Sequence, residues 1–253
     1  MINLNLLGYK HLHIKILLSF LVFICFFSTL NTMPPLDRDE SRFIQATVQM
    51  LETKDFVNIK FLDTPRLKKP PGIYWLQALS VTITKNILFL DKAPVWVYRL
   101  PSAISAGIAV WLTFLIGQLL FGRAQGLIAA LLFVSSPLLM VEAHIAKTDS
   151  VLLACILFVT YILAKIIFYK EKKISKPSKF LLYFTWFIFG FAFLIKGPLV
   201  ILFILSTALF FIKISGVNFL KDTEFIKGIC LFLIITLPWF IIIKFGASSD
   251  LFI

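Results

Sequence analysis

Apolar residues run in long blocks along most of this chain, and only one gap between blocks is too long and too mixed to be a simple connection. The blocks at 14–30, 98–120, 124–141, 150–169, 180–195, 198–212 and 228–243 predict about seven transmembrane helices, because roughly 20 residues at 1.5 Å rise cross a ~30 Å hydrocarbon core. The expected fold is all-α and polytopic. Within the long gap, 33–97, the positions change period. Phe43, Ile44, Val48 and Leu51 fall on one face of a helix over 39–52, opposite Arg42, Gln45, Gln49 and Glu52, and this predicts an amphipathic helix at the membrane interface. A second helix is expected to start at Pro71 and continue through Trp75, Leu76 and Leu79, with Tyr74 and Trp75 at headgroup level.

Composition removes the soluble alternatives. Of 253 residues, 59% are hydrophobic and 15% charged, so a water-exposed surface could not be made polar. Mean hydropathy is +0.93. The net charge of +12 reads as orientation and contact with anionic lipid, and no nucleic-acid motif accompanies it. Lysines crowd 165–179 and 213–227, and Arg123 lies between two blocks, which puts those loops and the N-terminus in the cytoplasm and the segment 33–97 outside. The first block is long for a cleaved signal, and Asn31-Thr32-Met33-Pro34 offers no small-x-small cleavage site, so it reads as an uncleaved span. Cys25, Cys155 and Cys230 each lie inside an apolar block and read as packing residues.

The polar residues that remain gather in the outer loops. Asp37, Asp39 and Glu40 precede the first loop helix: Asp37 with Glu40 fits an acidic capping box, while the same helix would hold Asp39 rigidly at the membrane surface. Lys68 and Lys69 precede Pro70-Pro71, and a proline restricts the residue before it to extended conformations, so Lys69 is either a phosphate contact or one of a snorkelling pair. Arg42 and Arg99 are phosphate contacts or flank anchors. Asp149 caps the following span or takes part in chemistry. His144 alone is a weak metal candidate. Lys196-Gly197-Pro198 breaks an apolar stretch in two, and a lysine there needs a partner or the interface.

Taken together these motifs resemble the bacterial glycosyltransferase-C superfamily, in particular the members related to protein O-mannosyltransferases and to the lipid A aminoarabinose transferase. The residues that carry the likeness are Asp39-Glu40-Ser41-Arg42-Phe43, then Lys69-Pro70-Pro71 and Tyr74-Trp75. Arg99-Leu100-Pro101, Leu120-Phe121-Gly122-Arg123, Ser136-Pro137, Thr148-Asp149, Lys196-Gly197-Pro198 and Pro238-Trp239-Phe240 follow in the family's order. The resemblance implies a multi-pass enzyme of the bacterial inner membrane that moves a sugar from a polyprenyl-phosphate donor to a lipid, glycan or protein acceptor on the extracytoplasmic face. It implies Asp39 as the catalytic acid residue with Glu40 beside it, Lys69, Arg42 and Lys196 against the donor phosphate, and Asp149, Lys68 and Arg99 in support. It implies no certain cofactor and leaves room for a divalent metal. Two departures stand out: Lys68 replaces the glutamate that the aminoarabinose enzymes carry before the Lys-Pro-Pro lysine, and the chain ends at Ile253 where family members continue. The sequence is therefore read as one module, 1–253, with 33–97 as its catalytic loop and a further C-terminal part expected. The competing reading is a transporter or lipid flippase, but such a protein would place ionisable groups near midspan, and here they gather at span ends.

Overall fold

The computed structural model describes residues 11–35, 38–66, 69–169, 174–215 and 219–246, so Asp37 and Lys68 lie outside the described residues. Apart from one small hairpin these are helices and their connections. Helix α1 (His11–Phe27) leads into α2 (Arg38–Thr53), the antiparallel pair β1 (Lys60–Phe61) and β2 (Thr64–Pro65), and α3 (Gly72–Leu88). The long helices follow: α4 (Val95–Phe121), α5 (Arg123–Val134), α6 (Pro137–Ala143), α7 (Asp149–Phe168), α8 (Lys179–Lys196), α9 (Leu199–Ser215), α10 (Phe219–Asp222) and α11 (Phe225–Gly246).

Four helices, α4, α7, α8 and α11, are long and apolar enough to cross a membrane, and the bent pair α5–α6 makes up to five. Helices α1 and α9 are apolar but shorter. The stretch 124–141, expected as a single straight span, is instead bent by 63° between α5 and α6. Pro137 has no N–H to give, and the turn at Ser135 and Ser136 closes instead through Ser136 N–H donating to Phe133 O at 3.1 Å. Two glycines let α4 and α5 touch. A Cβ on Gly117 would lie 2.7 Å from Gly126 Cα, so only hydrogen permits that backbone approach.

Two apolar clusters support the bundle. In one, Leu18, Phe26, Val110 and Val134 join α1 to α4 and α5. In the other, Phe43, Tyr74, Ile162 and Ile195 join the loop helices α2 and α3 to α7 and α8. Helices α2 and α3 are thus packed into the protein. Helix α2 is also turned from its expected face: Glu40, Phe43, Ala46, Thr47 and Met50 are buried, while Ile44, Val48 and Leu51 sit at the edge against Val81, Val97 and Tyr98. Tyr74 is fully buried instead of lying at headgroup level. Trp75 stays partly exposed, and its indole N–H donates to Phe56 O at 2.8 Å.

Candidate active site

The end of the bundle where α1 finishes and where α2, α4 and α7 begin collects the polar residues of the outer loops. Beneath it lies a buried ion pair. Glu40 and Arg99 are 0% and 1% exposed, and Arg99 Nε and Nη2 donate to the two carboxylate oxygens at 2.7 and 3.1 Å. Arg99 Nη1 donates to Leu30 O and Met33 O at 2.9 and 2.8 Å, and Nη2 also donates to Pro34 O at 3.1 Å. All five guanidinium N–H groups are therefore used. Glu40 also accepts the Ala146 backbone N–H at 3.0 Å, while Ala146 O accepts from Gln77 Nε2 at 3.2 Å. Gln77 Oε1 in turn accepts the Thr47 hydroxyl at 2.6 Å.

Glu40, expected beside the catalytic aspartate, and Arg99, expected in support, are both buried and engaged with the protein itself. A carboxylate and a guanidinium one turn inside the helix ends are desolvated, and their mutual pairing is what makes that burial tolerable. They hold α2, α4, the end of α1 and the 144–148 turn in register.

Above this pair the remaining candidates lie close together along one continuous path. Asp39 is exposed at the start of α2, with Arg42 one turn on at 3.8 Å. Phe43, on the next position, packs against Tyr74 with ring centroids 5.5 Å apart, and the Arg66 guanidinium lies 5.0 Å over the same Phe43 ring. Burial pushes the Tyr74 hydroxyl up to about 12, against the opposing influence of the nearby Arg66 charge, and Asp39 is near enough to push it further up. The phenol stays protonated throughout the physiological range. Arg66 Nε has no hydrogen-bond partner within the protein, and the Tyr74 hydroxyl lies beside the same guanidinium.

From Arg66 a tight turn, Lys69 N–H donating to Arg66 O at 3.4 Å, leads to Pro70, Pro71 and the start of α3. Gly72 then presses directly on the end of α8: a Cβ there would stand 2.7 Å from Leu194 O. Two residues beyond Leu194, the Lys196 ammonium pairs with the Asp149 carboxylate, both groups being partly exposed. Gly197 ends α8 with φ +71°, a conformation that L side chains rarely adopt, and so lets the chain turn away immediately after the lysine. Asp149 is the first helical residue of α7, and Thr148 occupies the cap position, so the carboxylate faces Lys196 instead of capping its own helix.

The sequence-derived candidates Asp39, Arg42, Lys69, Asp149 and Lys196 thus sit on elements that touch in succession, α2 on α3, and the start of α3 on the end of α8, which pairs with α7. Arg66 and Tyr74 join them, and sequence reasoning had not singled out either for chemistry. For Arg66 the signal was present, since it stands three residues before Lys69 in the same basic cluster. His144 is a structural tie: its Nδ1–H donates to Met140 O at 2.7 Å, leaving Nε2 to accept the Thr29 hydroxyl at 2.7 Å when the ring is neutral. Among the described residues no group of three or more His, Cys, Asp or Glu side chains could hold a metal ion.

Comparison with known proteins shows the family and the fold. The family described as dolichyl-phosphate-mannose-protein mannosyltransferase matches residues 68–242, from the Lys-Pro-Pro turn to the last helix. The chain belongs to this family. Among curated relatives of this mannosyltransferase family member, an undecaprenyl phosphate-alpha-4-amino-4-deoxy-L-arabinose arabinosyl transferase of Pseudomonas fluorescens (strain Pf0-1) is 31% identical over 112 residues, 44% of this chain and 18% of the relative. A protein of Aquifex aeolicus (strain VF5) described as uncharacterized is 28% identical over 239 residues, 94% of this chain and 50% of the relative. The crystal structure of ArnT from Cupriavidus metallidurans bound to undecaprenyl phosphate superposes with a TM-score of 0.78 over 95% of this chain, at 19% identity, and the apo structure of that protein with 0.77 over 93%. The fold of those two structures is thus shared, and the chain spans 43% and 42% of the two solved chains.

Proposed function

We propose that the chain carries the donor-binding and catalytic face of a membrane glycosyltransferase, one that takes a sugar from a polyprenyl-phosphate carrier and passes it to an acceptor outside the cytoplasm. The observation that carries this reading is the contact between the elements that bear these charges: Arg66 lies over Phe43, next to Asp39 and Arg42 on α2, Gly72 after the Lys-Pro-Pro turn presses on the end of α8, and Lys196 there pairs with Asp149. A lipid-borne phosphate arrives at that depth with its chain in the bilayer and its headgroup level with those side chains. The similar fold solved with undecaprenyl phosphate bound supports a carrier of this class, as does the likeness to the undecaprenyl phosphate-dependent arabinosyl transferase.

In this reaction the acceptor oxygen attacks the anomeric carbon as the bond from that carbon to the phosphate oxygen breaks, and the leaving phosphate keeps the electron pair. Asp39, exposed at the start of a rigid helix, takes the acceptor's proton; a general base so placed contributes about 10²–10⁴-fold. Lys69 and Arg66 neutralise the leaving phosphate. Their worth depends on water exclusion, since two charges 4 Å apart interact by about 1 kcal/mol in water and ~4 kcal/mol at an effective dielectric of 20. Lys196, held by Asp149, contributes a further positive charge at the rim, and Lys68 would add another. The single displacement inverts the anomeric centre. An acceptor that is itself an ionised phosphate needs no base, and Asp39 then orients it. No step is routed through a metal.

The module 1–253, with 33–97 as its catalytic loop, is proposed to lie in the inner membrane with that loop outside and the N-terminus in the cytoplasm, in keeping with the lysine-rich loops at the other end. Mass analysis of glycolipids, glycans and glycoproteins from cells with and without the gene tests the reading. One class of product should lose a single sugar in the deletion strain. Identical profiles would reject it.

A further inference from the structure

Arg66 carries a permanent charge that no carboxylate among the described residues neutralises. The residue is half-buried, and its Nε–H, out of contact with solvent, has no hydrogen-bond partner. Two aromatic side chains hold it all the same. The guanidinium carbon stands 5.0 Å over the Phe43 ring, and the Tyr74 hydroxyl lies beside the same group. The two rings meet with centroids 5.5 Å apart and planes tilted by 41°. Both rings are buried, packed in the cluster that α2 and α3 share with α7 and α8. The backbone of the arginine is tied as well, its N–H donating to the O of buried Ile59 at 2.7 Å.

A phenylalanine at position 74 would fill the same core, so the hydroxyl is the one atom that packing does not require. A guanidinium only donates hydrogen bonds, and a phenol oxygen can accept one. Burial pushes the Tyr74 hydroxyl up to about 12, so it stays neutral and can orient the cation without cancelling its charge. A carboxylate in that place would orient Arg66 and use up its charge together. We propose that Tyr74 is a positioning residue: with Phe43 it fixes the plane of Arg66, so that the guanidinium meets the phosphate of the polyprenyl carrier already oriented. This rests on the donor reading above and adds to it the seat that presents the cation. Fixing a flexible arginine stem before the ligand arrives removes part of the ordering cost of binding.

The test compares binding of undecaprenyl phosphate and of neutral undecaprenol to the full chain in nanodiscs. Wild type should hold the phosphate more tightly than the alcohol. Arg66→Ala should weaken phosphate binding about tenfold and Tyr74→Phe about fivefold, the range of one polar contact, with binding of the alcohol unchanged in both. In the Arg66→Ala background, Tyr74→Phe should change phosphate affinity by less than about twofold, because the side chain it positions is gone. The melting temperature of Tyr74→Phe, read in the same preparation, should stay near that of wild type. Wild-type phosphate affinity in either single variant, an equal loss for phosphate and alcohol, or a full fivefold loss on top of Arg66→Ala would each overturn the positioning role and leave the donor reading standing. A wild-type chain that does not distinguish the phosphate from the alcohol would reject the donor reading, and the positioning role with it.

Discussion

Arg99 and Glu40 form a fork-on-fork ion pair, with contacts of 2.7 and 3.1 Å, at the point where α1 ends and both α2 and α4 begin. The pair is a joint between the membrane bundle and the loop that carries Asp39, and it makes Glu40 a positioning residue for its neighbour.

Removing one side of this joint leaves the other charge buried and alone, so Arg99→Met should cost about 3–5 kcal/mol of stability. The double variant with Glu40→Met should recover a large part of it, because the pair then becomes apolar. Thermal unfolding in detergent measures both. A Glu40→Gln protein with unchanged Tm and abolished turnover would instead make Glu40 a catalytic group.

Gly72 stands where the Lys-Pro-Pro turn meets α8, with no space for a methyl group beside Leu194 O. Gly72→Ala should lower stability by about 1–3 kcal/mol through overpacking and should weaken donor binding at the same time, since Lys69 is displaced with the turn. Donor affinity measured by equilibrium binding checks the second part, and unchanged affinity would separate Lys69 from the α8 contact.

Tyr74 loses its proton at a higher pH folded than unfolded, because burial raises its hydroxyl to about 12. Below pH 10 both states hold the proton and there is no effect. Between pH 10 and 12 the unfolded chain releases the proton and the folded chain does not, so wild-type stability should fall relative to Tyr74→Phe as pH rises through that window. Near neutral pH the phenylalanine variant should differ from wild type by no more than about 1 kcal/mol, since it removes a buried hydroxyl whose nearest polar neighbour is the Arg66 guanidinium. Melting curves of the two proteins from pH 7 to 11 show whether they diverge only above 10.

The Asp149–Lys196 pair is partly exposed on both sides, so Lys196→Ala should cost no more than about 1 kcal/mol of stability. Its effect should appear in turnover instead. A variant with full activity would leave the pair as a connection between α7 and α8 only.

The apolar blocks located α4, α7, α8, α9 and α11 because in a membrane chain hydropathy reports length directly. The proline-marked break at Lys196-Gly197-Pro198 was legible for the same reason. The bend at Ser135-Ser136-Pro137 was not, since the apolar pattern runs through it while the backbone does not. The period of α2 misled in a specific way: Glu40 and Thr47 look like surface residues, yet their partners, Arg99 and Gln77, come from 59 and 30 residues further along the chain. Such pairings leave no local trace in sequence. The same holds for Tyr74, whose burial depends on Phe43 approaching from α2 and α7 and α8 packing from the other side. The charges of the outer loops were easier to pick out than the joint beneath them, because exposed charges stand out against an apolar chain.

The proposed transfer requires Asp39 to act opposite the cations of the Lys-Pro-Pro turn. Asp39→Asn in the purified full chain, assayed for sugar transfer from a polyprenyl-phosphate donor to a hydroxyl acceptor, is the decisive measurement, with donor affinity read in the same preparation. Turnover should fall by at least about 100-fold while the protein inserts normally and binds the carrier as before, whereas Lys69→Ala should chiefly weaken carrier binding. Asp39→Asn protein that turns over at the wild-type rate would contradict the assignment.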